Sequence, residues 1–216
     1  MEKKIKLSLL QKEVLFGVIL EDAHLETQNH GITYRVKFEQ SIKHKAYIEH
    51  LYSLFKDYVK TSPQLKVVKY KTGDQNNKLV LRKETTNIRF ATISSSTFTF
   101  FGKQFYKDNK KVIPKLIHRW LTPRALAYWY MDDGSMKSTQ SKGVLLNTQS
   151  FSHAEVKQIC NVLTQKFNLF CWPRKQKNNQ YQIYISGKSY ETLRDCIYGF
   201  IIPDMVYKFP LPRKSG

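Results

Sequence analysis

Two acidic pairs stand at matching places in this chain. Each closes a nine-residue apolar run: LFGVILEDA at residues 15–23 and LAYWYMDDG at residues 126–134. Asp22 and Asp133 hold the eighth position of their runs. A carboxylate at the end of a buried apolar helix is costly unless it is paired or bound to a cation. Two such helices packed side by side would bring Asp22 and Asp133 together, and like charges held close need a cation. Carboxylate oxygens in a water-rich setting suit Mg2+, which keeps waters and takes substrate phosphates as further ligands. Metal at that point can activate water and stabilise the leaving oxygen of a phosphodiester. Either run alone reads more simply as a helix end, with Gly134 as a stop signal. The matching pair favours metal chemistry.

Composition names the partner such chemistry would act on. The net charge is +19, from 36 Lys and Arg against 17 Asp and Glu, spread along the chain. An excess of this size repels itself in a compact state and points to a polyanion. A hydrophobic content of 41%, with 13 Tyr and 13 Phe, describes a folded chain and excludes a disordered basic tail. Cys160, Cys171 and Cys196 show no paired spacing, so free thiols in a reducing intracellular setting are expected and a zinc site is not. No apolar stretch is long enough to span a membrane, so no membrane partner is expected, and the basic, polar start shows no targeting signal. The histidines lack ligand spacing, and His24 reads as a surface residue at a strand start. There is no glycine-rich phosphate loop, and the aromatic residues fall mostly at core spacings rather than forming a stacking platform for single strands.

The elements that must position the acidic pairs can be read in order. Residues 7–20 form a helix that is apolar on most faces. Asn29-His30-Gly31 turns the chain, and residues 32–39 alternate as a strand with Tyr34, Val36 and Phe38 inward. An amphipathic helix follows at 43–59, then strands at 65–71, 78–83 and 86–93, then a short aromatic helix at 96–106. The second half opens at Thr122, a capping residue, with Pro123 at the first helical position. A loop or hairpin at 134–143, a strand at 144–149 and a capping box at Ser152 and Glu155 follow; the helix from that box runs to 167. Strands at 169–174 and 181–186 and a helix at 189–200 complete it. The same order occurs twice, so two similar half-domains related by a pseudo-twofold axis are expected, with the basic stretch KDNKK at 107–111 between them: residues 1–110 and 111–216.

The two acidic runs resemble the paired motifs of single-chain LAGLIDADG homing endonucleases. Motif one keeps Leu15, Gly17, Ile19 and Asp22; motif two keeps Leu126, Ala127, Asp132, Asp133 and Gly134. The flanks FEQSIKHKAYIEHLY, KKVIP, VLLNTQSF and MVYKFP also resemble members encoded in yeast mitochondrial introns, so the likeness covers most of residues 15–210. It implies an α+β fold of two αββαββα half-domains, with the motif helices at the centre and two curved sheets forming a saddle over DNA. It implies a monomer that cuts both strands of a duplex and leaves short 3′ overhangs, with Mg2+ as cofactor and Mn2+ as a substitute. Asp22 and Asp133 would bind metal, assisted by the carbonyls of Ala23 and Gly134. Glu39 and Asn147 would be the polar residues beside the metal site, and Lys111 and Lys208 the basic residues near each scissile phosphate. Phe16 and Tyr128 replace small residues of the motif, so bulk at these positions must be offset across the helix interface.

DNA reading is expected from outward side chains of the sheets: Thr33, Arg35, Lys37, Lys78, Arg82, Asn87 and Arg89, then Lys142, Trp172, Arg174, Lys175, Gln180, Gln182 and Tyr184. Arg and Lys bond guanine edges, Gln and Asn pair with adenine, and strands fit the major groove. Most basic contacts should go to phosphates, so binding should weaken steeply with salt. A group I intron RNA maturase on the same fold is the alternative, and intron RNA then a second partner; a DNA-binding module without cleavage is disfavoured by the two retained carboxylates. The resemblance also implies an intracellular, organelle-encoded protein, mitochondrial by the members it resembles.

Overall fold

The computed structural model describes residues 6–72, 81–138 and 141–209, side chains of 70–72 and 81–83 excepted. Helix α1 (Leu9–Ile19) opens on a capping box in which the Ser8 hydroxyl accepts from the Gln11 backbone and the Gln11 side chain accepts from that of Ser8. It is buried from Val14 to Ile19. Strands β1 (His24–Glu26) and β2 (Arg35–Ser41), helix α2 (Lys45–Phe55), strands β3 (Gln64–Thr72) and β4 (Leu81–Ala91) and helix α3 (Thr99–Phe105) follow. A small hairpin, β5 (Tyr106–Lys107) with β6 (Lys110–Lys111), and the short helix α4 (Ile117–Trp120) lead to α5 (Pro123–Asp133). The order then recurs: β7 (Gly134–Ser138), β8 (Ser141–Asn147), α6 (His153–Phe167), β9 (Cys171–Lys175), β10 (Tyr181–Ile185) and α7 (Tyr190–Ile197), closed by a 3-10 segment at Pro203–Lys208. Among the described residues no helix is long and apolar enough to cross a membrane.

The two sheets have one design. Their strand orders are β1-β2-β4-β3 and β7-β8-β10-β9, antiparallel throughout. This is the αββαββα unit twice over. The alternation that builds each sheet is the expected one: Val36, Phe38, Ile88 and Phe90 are buried in the first, Val144, Leu146, Ile183 and Ile185 in the second.

Two expectations about strands need correction. The first sheet's β2 begins at Arg35, not at residue 32, because Asn29 closes a turn. Its side chain accepts from the Thr33 amide and donates to the Thr33 hydroxyl, both at 2.9 Å, while His30 and Gly31 take left-handed φ of 53° and 84°. Of the strand expected at 78–83, residues 78–80 lie outside the described residues; 81–83 and the strand expected at 86–93 belong to one strand, β4, which pairs with β3 from Gln64↔Arg89 to Thr72↔Leu81. The polar Glu84 and Thr85 look like a break in sequence, but they lie in an exposed part of the ladder where Glu84 meets Lys69 at 3.1 Å.

The motif helices α1 and α5 pack directly on each other, and Gly17 lies tight against the α5 backbone. A Cβ there would lie 2.3 Å from the Ala125 carbonyl oxygen and 2.8 Å from Tyr128 Cβ. The two bulky departures from the motif are accommodated outside that point. Phe16 turns away into Phe101 and stacks on Trp120, with ring centroids at 4.9 and 5.0 Å. Tyr128 turns toward α2, its hydroxyl 2.6 Å from His50 Nε2.

Candidate active site

The chain leaves α1 through Leu20 into Glu21 and Asp22, while α5 ends on Asp132 and Asp133. The direct packing of the helices therefore brings four carboxylates together, and they interleave. Glu21 of the first motif meets the Asp133 side chain. Asp22 accepts a hydrogen bond from Gln40 Nε2, which also reaches Asp132 Oδ1 at 3.4 Å. Asp133 is held from the second sheet by Asn147 Nδ2 at 3.4 Å, and Asn147 in turn accepts from Gln182.

Burial is the main force on all four acids. It raises the Glu21 carboxyl to about 9, helped by Asp133, and Asp133 to about 6. It pushes the half-buried Asp132 well above the usual carboxylate range, with the charge of Asp22 adding to the effect. Asp22 is raised by burial too, but the Gln40 hydrogen bond and the nearby Lys208 and Lys111 oppose it. Among the described residues, one oxygen each of Glu21, Asp132 and Asp133 is buried without a hydrogen-bond partner. Such a cluster is satisfied by shared protons or by a cation. Among the described residues no three His, Cys, Asp or Glu side chains form a ready-made metal cage. The donor set instead fits a hard cation that takes few protein oxygens and fills its sphere with water and phosphate.

The acid cluster sets a pH dependence. A carboxyl whose folded pKa lies above its unfolded value stabilises the fold below the unfolded value and loses that contribution as pH rises to the folded one. Glu21, ordinarily near 4.5, reaches about 9. Protein freed of divalent cations should therefore lose thermal stability as pH rises across that window, and added Mg2+ should restore it at the alkaline end. A melting temperature that holds level or rises between those limits would show that these acids are not buried together.

Each lysine of the expected pair closes one motif. Lys111 Nζ donates to the Glu21 carbonyl at 2.5 Å and the Ala23 carbonyl at 3.3 Å, and Lys208 Nζ donates to the Asp132 carbonyl at 2.8 Å. Glu21 and Asp132 share the seventh motif position, so the two lysines repeat one arrangement at the carbonyl end of each helix, where a cation is favoured. Burial lowers both ammonium pKa values, against the pull of the surrounding carboxylates. The Ala23 carbonyl, expected as a metal ligand, is thus engaged by Lys111. Gly134 lies at the start of β7, paired with Leu146.

The strands place the expected DNA readers unevenly. Glu39, Asn87 and Arg89 share the outward face of the first sheet, with Lys37 at its end. Asn147, Gln182, Tyr184, Trp172 and Arg174 share the outward face of the second. Lys175 and Gln180 are exposed at the turn joining β9 and β10. Arg35 and Lys37 are both clamped by Glu26, Arg35 at 2.8 Å. Three of the expected residues are held by neighbours of their own. Thr33 belongs to the Asn29 turn rather than to a strand. Lys142 has the parity of buried Val144 and turns to Glu191 at 2.6 Å and over the Tyr190 ring on the helical side, so it is not an outward reader. Glu39 is held by Asn87 at 2.8 Å and by Lys66 at 3.3 Å, and it lines a small cavity with Asp22, Gln40 and Asp132. Lys78 and the Arg82 side chain lie outside the described residues.

Sequence reasoning missed Gln40, Glu21 and Asp132 as members of the cluster. The signal for the last two was present, since each immediately precedes the aspartate already singled out. Gln40 had a weaker one: it is the next inward position after Val36 and Phe38, and a polar residue on a buried row needs a partner.

Comparison with known proteins agrees with this geometry. Residues 12–193 match the LAGLIDADG DNA endonuclease family. A probable intron-encoded endonuclease 1 of Wickerhamomyces canadensis is 37% identical over 207 residues, which is 94% of this chain and 84% of the relative. A cytochrome b mRNA maturase bI2 of Debaryomyces hansenii is 33% identical over 199 residues, 91% of this chain and 72% of the relative. The solved structure of the homing endonuclease I-WcaI bound to its DNA recognition sequence aligns with a TM-score of 0.83 at 33% identity, covering 96% of this chain and 89% of that one.

Proposed function

Because the chain belongs to the LAGLIDADG DNA endonuclease family, we propose that it is a single-chain, site-specific endonuclease that cuts both strands of a DNA duplex with a divalent cation. The observation that carries this reading is the joint acidic site: two motif helices deliver interleaved carboxylates, and each motif carries its own lysine. Asp22 and Asp133 would hold the cation, Mg2+ by their oxygen donors and Mn2+ as a substitute, with the Gly134 carbonyl as an additional donor. When bound, the cation polarises the phosphodiester and makes water more acidic. Gln40 and Asn147 orient the two aspartates. Lys111 and Lys208 place positive charge where negative charge develops on a departing oxygen. The outward rows Lys37, Asn87 and Arg89, and Trp172, Arg174, Gln182 and Tyr184, would read the target in its major groove.

The two halves would divide at 110 and 111, within the β5–β6 hairpin that joins them, whose turn residues Asp108 and Asn109 take φ of 49° and 60°. The chain would act as a monomer, since both motifs lie in one polypeptide. Its relative named for a cytochrome b transcript supports an organelle setting. The same relative keeps the maturase reading alive, in which intron RNA is the partner.

The test is a cleavage assay on a plasmid library in Mg2+, in chelator, and on the matching intron precursor RNA. Mg2+-dependent linearisation at one sequence supports the proposal. Splicing of the RNA with no plasmid cut overturns it in favour of the maturase. A finer test separates the two candidates beside Asp22. Loss of a hydrogen bond to a charged group costs about 1.5–3 kcal/mol, so Gln40→Ala should slow cleavage by roughly ten- to a hundredfold. Glu39→Gln, which leaves Asp22 untouched, should change it only severalfold. The reverse order, measured as single-turnover rates on a cut oligonucleotide, would return the role to Glu39.

A further inference from the structure

At the far end of α1 from the carboxylates lies a groove of roughly 650 Å³ that nothing in the nuclease reading uses. We propose that it docks an acidic amphipathic helix of a partner protein. Its floor is aromatic: Phe16, Phe100, Phe101 and Trp120, with Phe100 set edge-on to Trp120 at a centroid distance of 5.2 Å. Phe100 is 46% exposed and Leu9, at the lip, 74% exposed. An exposed apolar surface with a polar rim marks an interaction site. The Ser8–Gln11 capping box fixes the first turn of α1, so Leu9 is presented on an ordered scaffold and not on a frayed end.

The rim decides what fits. Lys6, Lys12 and Arg119 line the groove, and among the described residues no carboxylate forms an ion pair with any of them. Among the described residues the one acid at the rim, Glu13, is neutralised by Arg124 at 2.5 Å. An occupant must therefore bring negative charge at its edges and large apolar anchors at its centre. A second copy of this chain would set the same cations against themselves, at a net charge of +19 per molecule. Nucleic acid would satisfy the rim, but it binds aromatic surfaces by stacking bases on exposed rings, and Phe16 and Phe101 are buried, which leaves Phe100 as the well-exposed ring. An amphipathic helix with apolar residues at i, i+3, i+4 and i+7 and glutamates around them meets both demands. Along α1 the groove runs from Leu9 to Phe16, about 20 to 9 Å from Asp22 at about 1.5 Å per residue, and none of its lining residues belongs to the acid cluster or to the outward sheet rows.

The probe is a labelled helical peptide of roughly four turns, with leucine and phenylalanine anchors and glutamates on its flanks, set beside a version with lysines in place of glutamates. The full chain should bind the glutamate peptide saturably with a micromolar Kd and the lysine peptide at least tenfold more weakly. Phe100→Ala, and Lys12→Glu with Arg119→Glu, should each weaken the glutamate peptide tenfold or more, and the charge-reversed protein should gain the lysine peptide. Binding of the plasmid target by these surface variants should stay at the wild-type level, which also reports that they fold. Equal binding of the two peptides, no saturable binding below about 1 mM, or affinity indifferent to these substitutions would overturn the proposal. So would self-association of the wild type that Leu9→Ala abolishes, or displacement of the peptide by intron RNA.

Discussion

Asp22→Asn and Asp133→Asn should each reduce double-strand cleavage by about a thousandfold or more, equivalent to roughly 4 kcal/mol of lost transition-state stabilisation. Asparagine keeps the shape of the side chain and its reach to Gln40 or Asn147, but it removes the charge that holds a cation. DNA affinity should stay level or rise, because a negative group facing phosphates has been removed. The two variants should also resemble each other, and the reason lies in the cross-connections. Glu21 of the first motif meets Asp133 of the second, and Gln40 reaches both Asp22 and Asp132. A change at one motif therefore disturbs the acids of the other, so neither variant should retain full nicking of one strand. Supercoiled plasmid followed to its nicked and linear forms gives the measurement. Full-rate linearisation by either variant would defeat the joint site; clean, full-rate nicking of a single strand would show two separable sites.

The internal repeat makes most of this architecture legible in the sequence. Two apolar runs share one acidic ending, and each is followed by a strand or hairpin, a helix, strands and a helix. That order is enough for two similar halves, while the αββαββα count comes from the family resemblance, and the sheets repeat one strand order. What the sequence leaves open depends on side-chain direction. Lys142 is basic and sits in a strand, but its parity matches buried Val144, and Glu191 draws it to the helical side. Glu39 and Gln40 are neighbours in sequence and differ in which face of the sheet they occupy; only the inward Gln40 reaches Asp22. In the second half the outward Asn147 contacts Asp133, while buried Thr148 donates to the Tyr181 carbonyl. The repeat therefore holds in topology and is broken in the polar residues around the acids, and no single periodicity in the sequence could assign both sides. Thr33 shows the same limit at a strand end, where Asn29 captures the chain in a turn.

Gly17→Ala should be among the most destabilising single-methyl additions in the molecule. In an exposed helix this exchange stabilises by about 1 kcal/mol, because glycine loses more backbone freedom on folding. Here the sign reverses. The added carbon would stand 2.3 Å from the Ala125 carbonyl oxygen, a backbone atom that cannot rotate aside, and 2.8 Å from Tyr128 Cβ. The helices must separate, and overpacking of this kind costs about 1–3 kcal/mol. For a chain of this size that is a fall of roughly 2–12 °C in Tm. Gly199→Ala supplies the control: nothing lies within 4 Å of the added carbon, and stability should change by less than about 0.5 kcal/mol. Bulk is accepted at Phe16 and Tyr128 because both rings leave the contact, toward Trp120 and His50. Gly17 has no such exit, which is why one motif can carry tyrosine at its third position only while the other carries glycine. Any separation at Gly17 is passed along α1 to Glu21 and Asp22, so the variant should also cut DNA more slowly at temperatures where it remains folded. A Gly17→Ala protein with wild-type Tm and wild-type rate would mean that the helix contact does not set the spacing of the acids.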